Sequence, residues 1–129
     1  MRSYKMKQKL IEAAKSVAEN AYVPYSGFQV GAAILSESGK IFTGCNVENS
    51  SYGLTNCAER TAVFKAVSEG ETKFSELVIF SKTDELFYPC GACRQVISEF
   101  SSDLKITIVS LTDKFETTIA ELLPHGFKL

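Results

Sequence analysis

Two short cysteine-containing segments constrain the fold of this chain more than any other feature. The first is Cys57-Ala58-Glu59-Arg60, and the second is Pro89-Cys90-Gly91-Ala92-Cys93. Each segment has the composition of a helix start, and together they carry three thiols, a carboxylate and a guanidinium. We therefore expect a fold in which two helices begin side by side and gather these groups at one place.

The four cysteines favour a metal site over disulfides. A chain of this size without an export signal more often uses cysteine for metal binding or catalysis than for cross-links. Cys90 and Cys93 form a C-x-x-C pair, whereas Cys57 stands alone beside Glu59. The remaining thiol, Cys45, is interpreted as a small buried hydrophobe at the end of a strand.

Length, composition and charge limit the number of domains and the possible binding partners. With 129 residues and a hydrophobic fraction of 45%, the sequence can build the core of one domain, which we expect to span residues 1–129. A net charge of −1 gives no electrostatic basis for binding nucleic acid. No apolar run approaches the roughly 18 residues that cross a bilayer, and no signal peptide is recognisable. The sequence therefore predicts a cytoplasmic protein without a nucleic acid or membrane partner.

The hydrophobic pattern predicts elements in the order α-β-β-α-β-α-β-β-α. The expected strands are 28–34, 40–47, 77–80, 106–111 and 115–118, and the expected helices are 5–21, 57–69, 92–100 and 119–123. Strands joined through helices imply a parallel part of the sheet, and the hairpins at either end make the sheet mixed. The predicted class is α/β, a three-layer α-β-α sandwich with a mixed five-stranded sheet and helices on both faces.

Three thiolates suit a zinc ion with one open position. Zinc favours four tetrahedral ligands, and a catalytic site leaves one of them to water, whose pKa falls to about 7. Zinc with three thiolates carries net negative charge, which the two helix N-termini and Arg60 would compensate. The softness of sulfur and this open-site chemistry favour zinc over other metals.

Glu59 is the candidate proton carrier. Its spacing from Cys57 can place a carboxylate beside the metal without making it a ligand, so that it can pass protons from water to a nitrogen leaving group. Cys-x-Glu followed by Pro-Cys-x-x-Cys is the general signature of zinc nucleobase deaminases. The alternative is a structural Cys₃His site that uses His125, the single histidine, but this leaves Glu59 without a role.

Over nearly its whole length the chain resembles the cytidine deaminases of the short, homotetrameric type whose zinc ligands are all cysteines. The resemblance includes both cysteine segments and three further stretches, Phe28-Gln29-Val30-Gly31-Ala32-Ala33, Gly44-Cys45-Asn46-Val47-Glu48-Asn49 and Glu121-Leu122-Leu123-Pro124. It implies zinc-dependent hydrolytic deamination of cytidine and deoxycytidine to uridine and deoxyuridine plus ammonia, in pyrimidine salvage.

The resemblance also implies a role for each site residue. Zinc would be held by Cys57, Cys90 and Cys93, with Glu59 as proton shuttle and Arg60 neutralising thiolate charge. The nucleoside would meet Phe28, Asn46, Glu48, the backbone around Ala58 and, from a neighbouring subunit of the homotetramer, Phe127. In this chain the stretch between Pro124 and Phe127 is His125-Gly126, and the sequence stops at Leu129.

The residue types support the ribose assignment independently. Asn46 and Glu48 are two apart at a strand end and can face one side, and a carboxylate accepts two hydroxyl hydrogen bonds. The same carboxylate would repel a phosphate, which favours a nucleoside over a nucleotide. Alternatively, the pair is a strand-terminal turn with solvated polar groups, and Phe28 is a core residue.

Two other functions remain open at this level. The chain could deaminate a nucleoside-like antibiotic of the blasticidin type, or it could be a non-catalytic zinc module that binds a partner.

Overall fold

A mixed five-stranded sheet is the centre of the computed structural model, which describes residues 2–129. The elements are α1 (Arg2–Ala18), β1 (Val30–Ser36), β2 (Ile41–Cys45), α2 (Ala58–Ser68), β3 (Phe74–Ser81), α3 (Gly91–Phe100), β4 (Lys105–Val109), β5 (Lys114–Thr118) and α4 (Ile119–Leu122). A short 3-10 turn at Tyr52–Leu54, which the pattern did not predict, precedes α2. The predicted order of elements is confirmed.

The strand directions explain why the two cysteine segments meet. The sheet order is β2-β1-β3-β4-β5, and β1 is antiparallel to both β2 and β3. Strands β2 and β3 therefore run in the same direction and end at the same edge of the sheet. The chain leaves β2 toward α2 and leaves β3 toward α3, so both helices begin at that edge. The parallel part is the β3–β4 pair, and β5 returns antiparallel, as the mixed sheet requires.

Helices cover both faces of the sheet, which confirms the three-layer sandwich. Helix α1 packs on one face through Leu10, Ile11, Ala14 and Ala18, against Ala33, Val78, Phe80 and Val109 of the strands. On the other face α2, α3 and α4 contribute Ala58, Ala62, Val63, Ala66, Ile97 and Ile119, against Ala32, Ile34, Leu77, Ile79, Ile106 and Ile108. No helix in residues 2–129 is both long enough and apolar enough to cross a membrane.

A glycine on each face lets a helix approach the strands closely. A Cβ atom at Gly31 would lie 2.0 Å from the carbonyl oxygen of Ala14 in α1. A Cβ atom at Gly44 would lie 2.4 Å from the backbone nitrogen of Ala62 in α2. Any side chain at either position would therefore push a helix away from the sheet.

Several predicted boundaries move by a few residues. Helix α1 ends at Ala18 rather than Ala21, because three successive turn hydrogen bonds follow and Tyr22 then pairs with Val47. Strand β1 begins at Val30 and is buried on both faces rather than alternating, since α1 and α2 cover it from opposite sides. Strand β3 extends to Ser81, beyond the predicted end at residue 80, because Ser81 pairs with Val30.

Candidate active site

Three thiols converge at the sheet edge where β2 and β3 end. The sulfur atoms of Cys57, Cys90 and Cys93 lie within 4.8 Å of one another, and those of Cys57 and Cys90 are 3.8 Å apart. Two thiolates bound to one tetrahedral zinc at about 2.3 Å have sulfurs about 3.8 Å apart. All four cysteines are free thiols. The donor set therefore fits one zinc ion and leaves one position for a ligand from outside the protein.

The helix starts leave these thiols available to a metal. Cys57 and Cys90 occupy the N-cap positions of α2 and α3 with extended backbone, and neither sulfur accepts a capping hydrogen bond. Their carbonyl oxygens accept instead from the backbone N–H groups of Thr61 and Arg94, each at 3.0 Å. Sulfur is a weak hydrogen-bond acceptor, and instead of capping a helix the Cys57 and Cys90 sulfurs lie close to each other.

Two polar side chains fix the segments that carry the thiols. Arg94 donates from Nε to the carbonyl of Pro89 at 2.7 Å and from Nη1 to that of Leu122 in α4 at 2.9 Å. Thr61 donates its hydroxyl to the carbonyl of Cys57 at 3.0 Å. Each cysteine segment is therefore held by hydrogen bonds that do not involve sulfur.

The thiol cluster lies beside a permanent positive charge, the guanidinium of Arg60. Hydrogen bonding with Cys93, and then with Arg60 and Cys90, lowers the pKa of Cys57 to about 5. The contact with Cys57 and the buried position raise the pKa of Cys93. Arg60 donates from Nη2 to the sulfur of Cys57 at 3.4 Å, and this contact raises the pKa of the guanidinium. A cluster with one ready thiolate and a permanent counter-charge is suited to bind a soft cation.

Glu59 lies in the first turn of α2, and only 5% of its surface is exposed. Burial raises the pKa of its carboxyl group to about 7, and the neighbouring Cys57 thiolate contributes in the same direction. A carboxyl group with this pKa can both hold and release a proton near neutral pH.

A cavity of about 210 Å³ opens directly beside the thiols. Cys57, Cys90 and Glu59 contribute to its wall, and most of the lining surface is apolar. The lining residues are Phe28, Val30, Asn46, Thr55, Cys57, Ala58, Glu59, Ile79, Ser81, Phe87, Tyr88 and Cys90. A second hollow, lined by Tyr25, Ser26, Glu48, Tyr52 and Thr55, shares Thr55 with it and opens to the surface. A mostly apolar cavity with a few polar groups is typical of a small-molecule binding site.

The predicted ribose-binding side chains also hold their own loop. Asn46 accepts from the N–H of Val30 at 3.0 Å and donates to the carbonyl of Phe28 at 2.8 Å. Glu48 accepts from the N–H groups of Tyr25 and Ser26 and from the Ser26 hydroxyl. The hydroxyl bond lowers the pKa of Glu48, so this carboxylate is ionised and keeps lone pairs for a further donor.

Three residues lie apart from the thiol cavity. Cys45 is half-buried on β2 and does not belong to the thiol cluster. His125 is exposed in the tail and is also outside the cluster, so the described residues give no Cys₃His site. Phe127 is 69% exposed, and its carbonyl accepts from the Gln95 side chain at 3.3 Å. A hollow of about 310 Å³ beside this tail is larger than the thiol cavity but contains no thiol or carboxylate.

Sequence reasoning missed several residues of the cavity wall. Phe87 packs edge-on against Phe28 with ring centroids 4.7 Å apart, and Tyr88 lies next to it. Ser81, at the end of β3, lines the same cavity. No motif spacing indicates these side chains, because a loop and a strand end bring them to the site. The one available signal in the sequence is the aromatic pair Phe87-Tyr88 immediately before Pro89.

Comparison with known proteins gives consistent matches. Residues 4–109 match the family described as the cytidine and deoxycytidylate deaminase zinc-binding region. A cytidine deaminase of Sporosarcina psychrophila is 53% identical over 93% of this chain and 90% of its own length. One from Halalkalibacterium halodurans is 50% identical over 94% of this chain and 93% of its own length.

Solved structures give the same result. The crystal structure of a cytidine deaminase from Burkholderia pseudomallei superposes with a TM-score of 0.89 at 47% identity, covering 93% of this chain and 98% of that one. The cytidine deaminase from Mycobacterium tuberculosis gives 0.83 at 41% identity, covering 95% and 97%. With a fitting thiol cluster, a buried carboxyl group and these matches, the chain belongs to the cytidine and deoxycytidylate deaminase family.

Proposed function

We propose that this protein catalyses the zinc-dependent hydrolytic deamination of cytidine and deoxycytidine to uridine and deoxyuridine, with release of ammonia. The observation that carries the proposal is the placement of Glu59, a buried residue that lines the same cavity as Cys57 and Cys90. Cytidine deaminases at about half identity over nearly the full chain support the substrate class.

Cys57, Cys90 and Cys93 would hold the zinc ion, and Arg60 would balance part of their charge. When bound, zinc supplies Lewis acidity that makes water a nucleophile near neutral pH. Zinc binds thiolates, so metal uptake releases the protons that the three thiols carry before binding.

Glu59 carries the protons of the reaction. It takes a proton from the attacking water as the oxygen forms its bond to C4 of the base, and it delivers that proton to N3. It then transfers the second water proton to N4, so that the C4–N4 bond breaks and ammonia leaves. The product is the keto pyrimidine. A carboxyl pKa of about 7 suits both directions of transfer, because neither protonation state is strongly favoured.

The walls of the cavity orient the nucleoside. Phe28, supported by Phe87, would pack against the base, and the backbone of Ala58 would meet its polar edge. Asn46 and Glu48 would bind the ribose hydroxyls with the hydrogen-bonding capacity that their loop contacts leave free. The ionised Glu48 would repel a 5′-phosphate, which favours nucleosides over nucleotides.

The proposal also covers assembly and location. Residues 1–129 would act as one catalytic domain in a homotetramer, and Phe127 would reach a neighbouring subunit's cavity; its exposed ring is consistent with this role. A cytoplasmic location would keep the free thiols reduced.

An ultraviolet absorbance assay with cytidine tests the proposal, with ammonia measured in parallel. We expect equal amounts of uridine and ammonia, loss of activity with a chelator, and recovery on adding zinc. A blasticidin-type nucleoside serves as the competing substrate. Turnover of that compound without turnover of cytidine or deoxycytidine would contradict the proposal.

A further inference from the structure

Ser81, the last residue of β3, has a buried hydroxyl group without a hydrogen-bond partner in the described part of the chain. Only 1% of the residue is exposed. A hydroxyl group removed from water without a partner destabilises the fold, and such groups in native proteins require an explanation.

Its place in the strand directs this hydroxyl toward the cavity. Ser81 follows Ile79 by two residues, and alternate side chains of a strand lie on the same face of the sheet. Both residues line the thiol cavity. The unpaired hydroxyl therefore belongs to the wall of the space that would receive the substrate.

The neighbouring strand β4 is followed by a second buried serine, Ser110, whose hydroxyl does have hydrogen-bond partners. The parallel register pairs Phe80 with Val109, so Ser110 follows β4 beside Ser81. Ser110 is also buried, with 3% of its surface exposed, but its hydroxyl accepts from the N–H groups of Thr112 at 3.2 Å and Asp113 at 2.9 Å. The Ser110 hydroxyl stabilises a turn, whereas the Ser81 hydroxyl has no such partner within residues 2–129.

Among the other polar side chains of the cavity, Tyr88 is 48% exposed and open to water, and the less exposed ones already have partners. Asn46 bonds to two backbone groups, and the Thr55 hydroxyl accepts from the N–H of Asn49 at 3.3 Å. Glu59 is assigned to proton transfer. A base that enters as far as the thiols brings several polar atoms with it, and Ser81 is the buried side chain that remains free to bind one.

We propose that the Ser81 hydroxyl is a substrate-binding group that forms a hydrogen bond with a polar atom of the pyrimidine base. The inference rests on the proposed function. A hydroxyl group both donates and accepts, so it can serve the amino-bearing substrate and the keto product alike. The ribose is the less suitable partner, because Glu48, one of its two proposed contacts, lines the second, open hollow and not the thiol cavity.

The test compares Ser81→Ala with Ser110→Ala in zinc-loaded protein. For Ser81→Ala we expect KM for cytidine and for deoxycytidine, and the dissociation constant of uridine by calorimetry, to rise about threefold to tenfold, the effect of one hydrogen bond. We expect kcat within about twofold of the wild type. The Tm should not fall, since the substitution removes a hydroxyl without a partner. Ser110→Ala should lower Tm and leave KM unchanged.

Each of the following results would overturn the inference. Unchanged KM and uridine affinity in Ser81→Ala would show that the hydroxyl does not touch the ligand. A lower Tm would show that it is bonded within the protein. A loss confined to cytidine would place the contact at the ribose 2′-hydroxyl. Wild-type protein that deaminates neither nucleoside would instead remove the proposed function itself, whereas an active wild type with a normal Ser81→Ala variant removes this inference alone.

Discussion

One face of the sheet is covered by α1, and the other by α2, α3 and α4, and each layer approaches the strands over a glycine. The two faces are alike in packing, because the missing side chain of Gly31 lets α1 approach the sheet closely and that of Gly44 does the same for α2. They differ in how their helices begin. Helices α2 and α3 start with cysteine N-caps at one sheet edge, whereas α1 contributes apolar side chains to the core and no residue to the lining of the thiol cavity.

This difference teaches where chemistry can be added to a packed fold. The core positions of both faces are filled by close-packed apolar side chains, so a polar site there would cost stability. The reactive groups lie instead where strands end and helices begin, because backbone there already turns toward solvent. Substitutions at the helix starts should therefore change activity, and substitutions under α1 should change stability.

The largest effect is expected from Glu59→Ala on the active face. We expect kcat to fall about 10³- to 10⁴-fold, because the carboxyl group carries the protons of the reaction. Zinc content should stay at the wild-type level, and Tm should not fall, since a buried carboxyl is removed. Steady-state kinetics with metal analysis measures both.

Glu76→Ala is the control on the other face. Glu76 pairs with Lys7 of α1 at 3.2 Å, away from the cavity. The Glu76→Ala protein should keep normal turnover of cytidine. Near-normal turnover in Glu59→Ala, or a comparable loss in Glu76→Ala, would remove the proposed distinction between the faces.

Gly31→Ala should give the largest loss of stability with little change in chemistry. The new methyl carbon would lie 2.0 Å from a backbone oxygen of α1, and backbone cannot rotate aside as a side chain can. We expect the free energy of unfolding to fall by about 3 kcal/mol and Tm by about 10 °C. Thermal and urea unfolding measure this.

At a temperature well below its Tm, the Gly31→Ala protein should keep kcat within about threefold of the wild type. An equal Tm for variant and wild type would mean that α1 does not approach β1 as closely as described.

Phe87→Ala should have an intermediate effect, confined to substrate binding. The ring supports Phe28 at a centroid distance of 4.7 Å, and such an aromatic pair contributes about 0.5–1.5 kcal/mol beyond its buried area. We expect KM for cytidine to rise about threefold to tenfold, with zinc content unchanged. Phe115→Ala is the matched control, because Phe115 pairs with Tyr88 from outside the cavity. A normal KM in Phe87→Ala would exclude Phe87 from substrate binding.

Cys45→Ala should have the smallest effect. Its thiol lies outside the cluster, so zinc content and kcat should match the wild type, and Tm should change by no more than about 3 °C. Mass spectrometry of the intact, metal-bound protein and thermal unfolding measure these quantities. Loss of zinc would show that Cys45 is part of the metal site.

The sequence predicted the metal cluster because its ligands lie in two short segments at helix starts. Cys57, Cys90 and Cys93 could be recognised without knowledge of the sheet, and strand order then explains why they meet. The helix and strand order followed equally from hydrophobic periodicity. These features are encoded by residues close together in the sequence, so they can be recognised without knowing how the helices and strands pack.

The cavity wall could not be predicted in the same way. The sequence pattern ends this strand at residue 80, and only the pairing of Ser81 with Val30 of β1 makes Ser81 the last strand residue, at the wall of the cavity. Phe87 reaches Phe28 across a gap of 59 positions, which no periodicity reports. The double burial of β1 likewise depends on helices that lie far from it in the chain.

Zinc stoichiometry in single cysteine variants tests the central claim most directly. We expect one zinc ion per chain in the wild type and in Cys45→Ala, and a large loss of both zinc and cytidine turnover in each of Cys57→Ala, Cys90→Ala and Cys93→Ala. Full zinc occupancy with normal turnover in any of the last three variants would contradict the account.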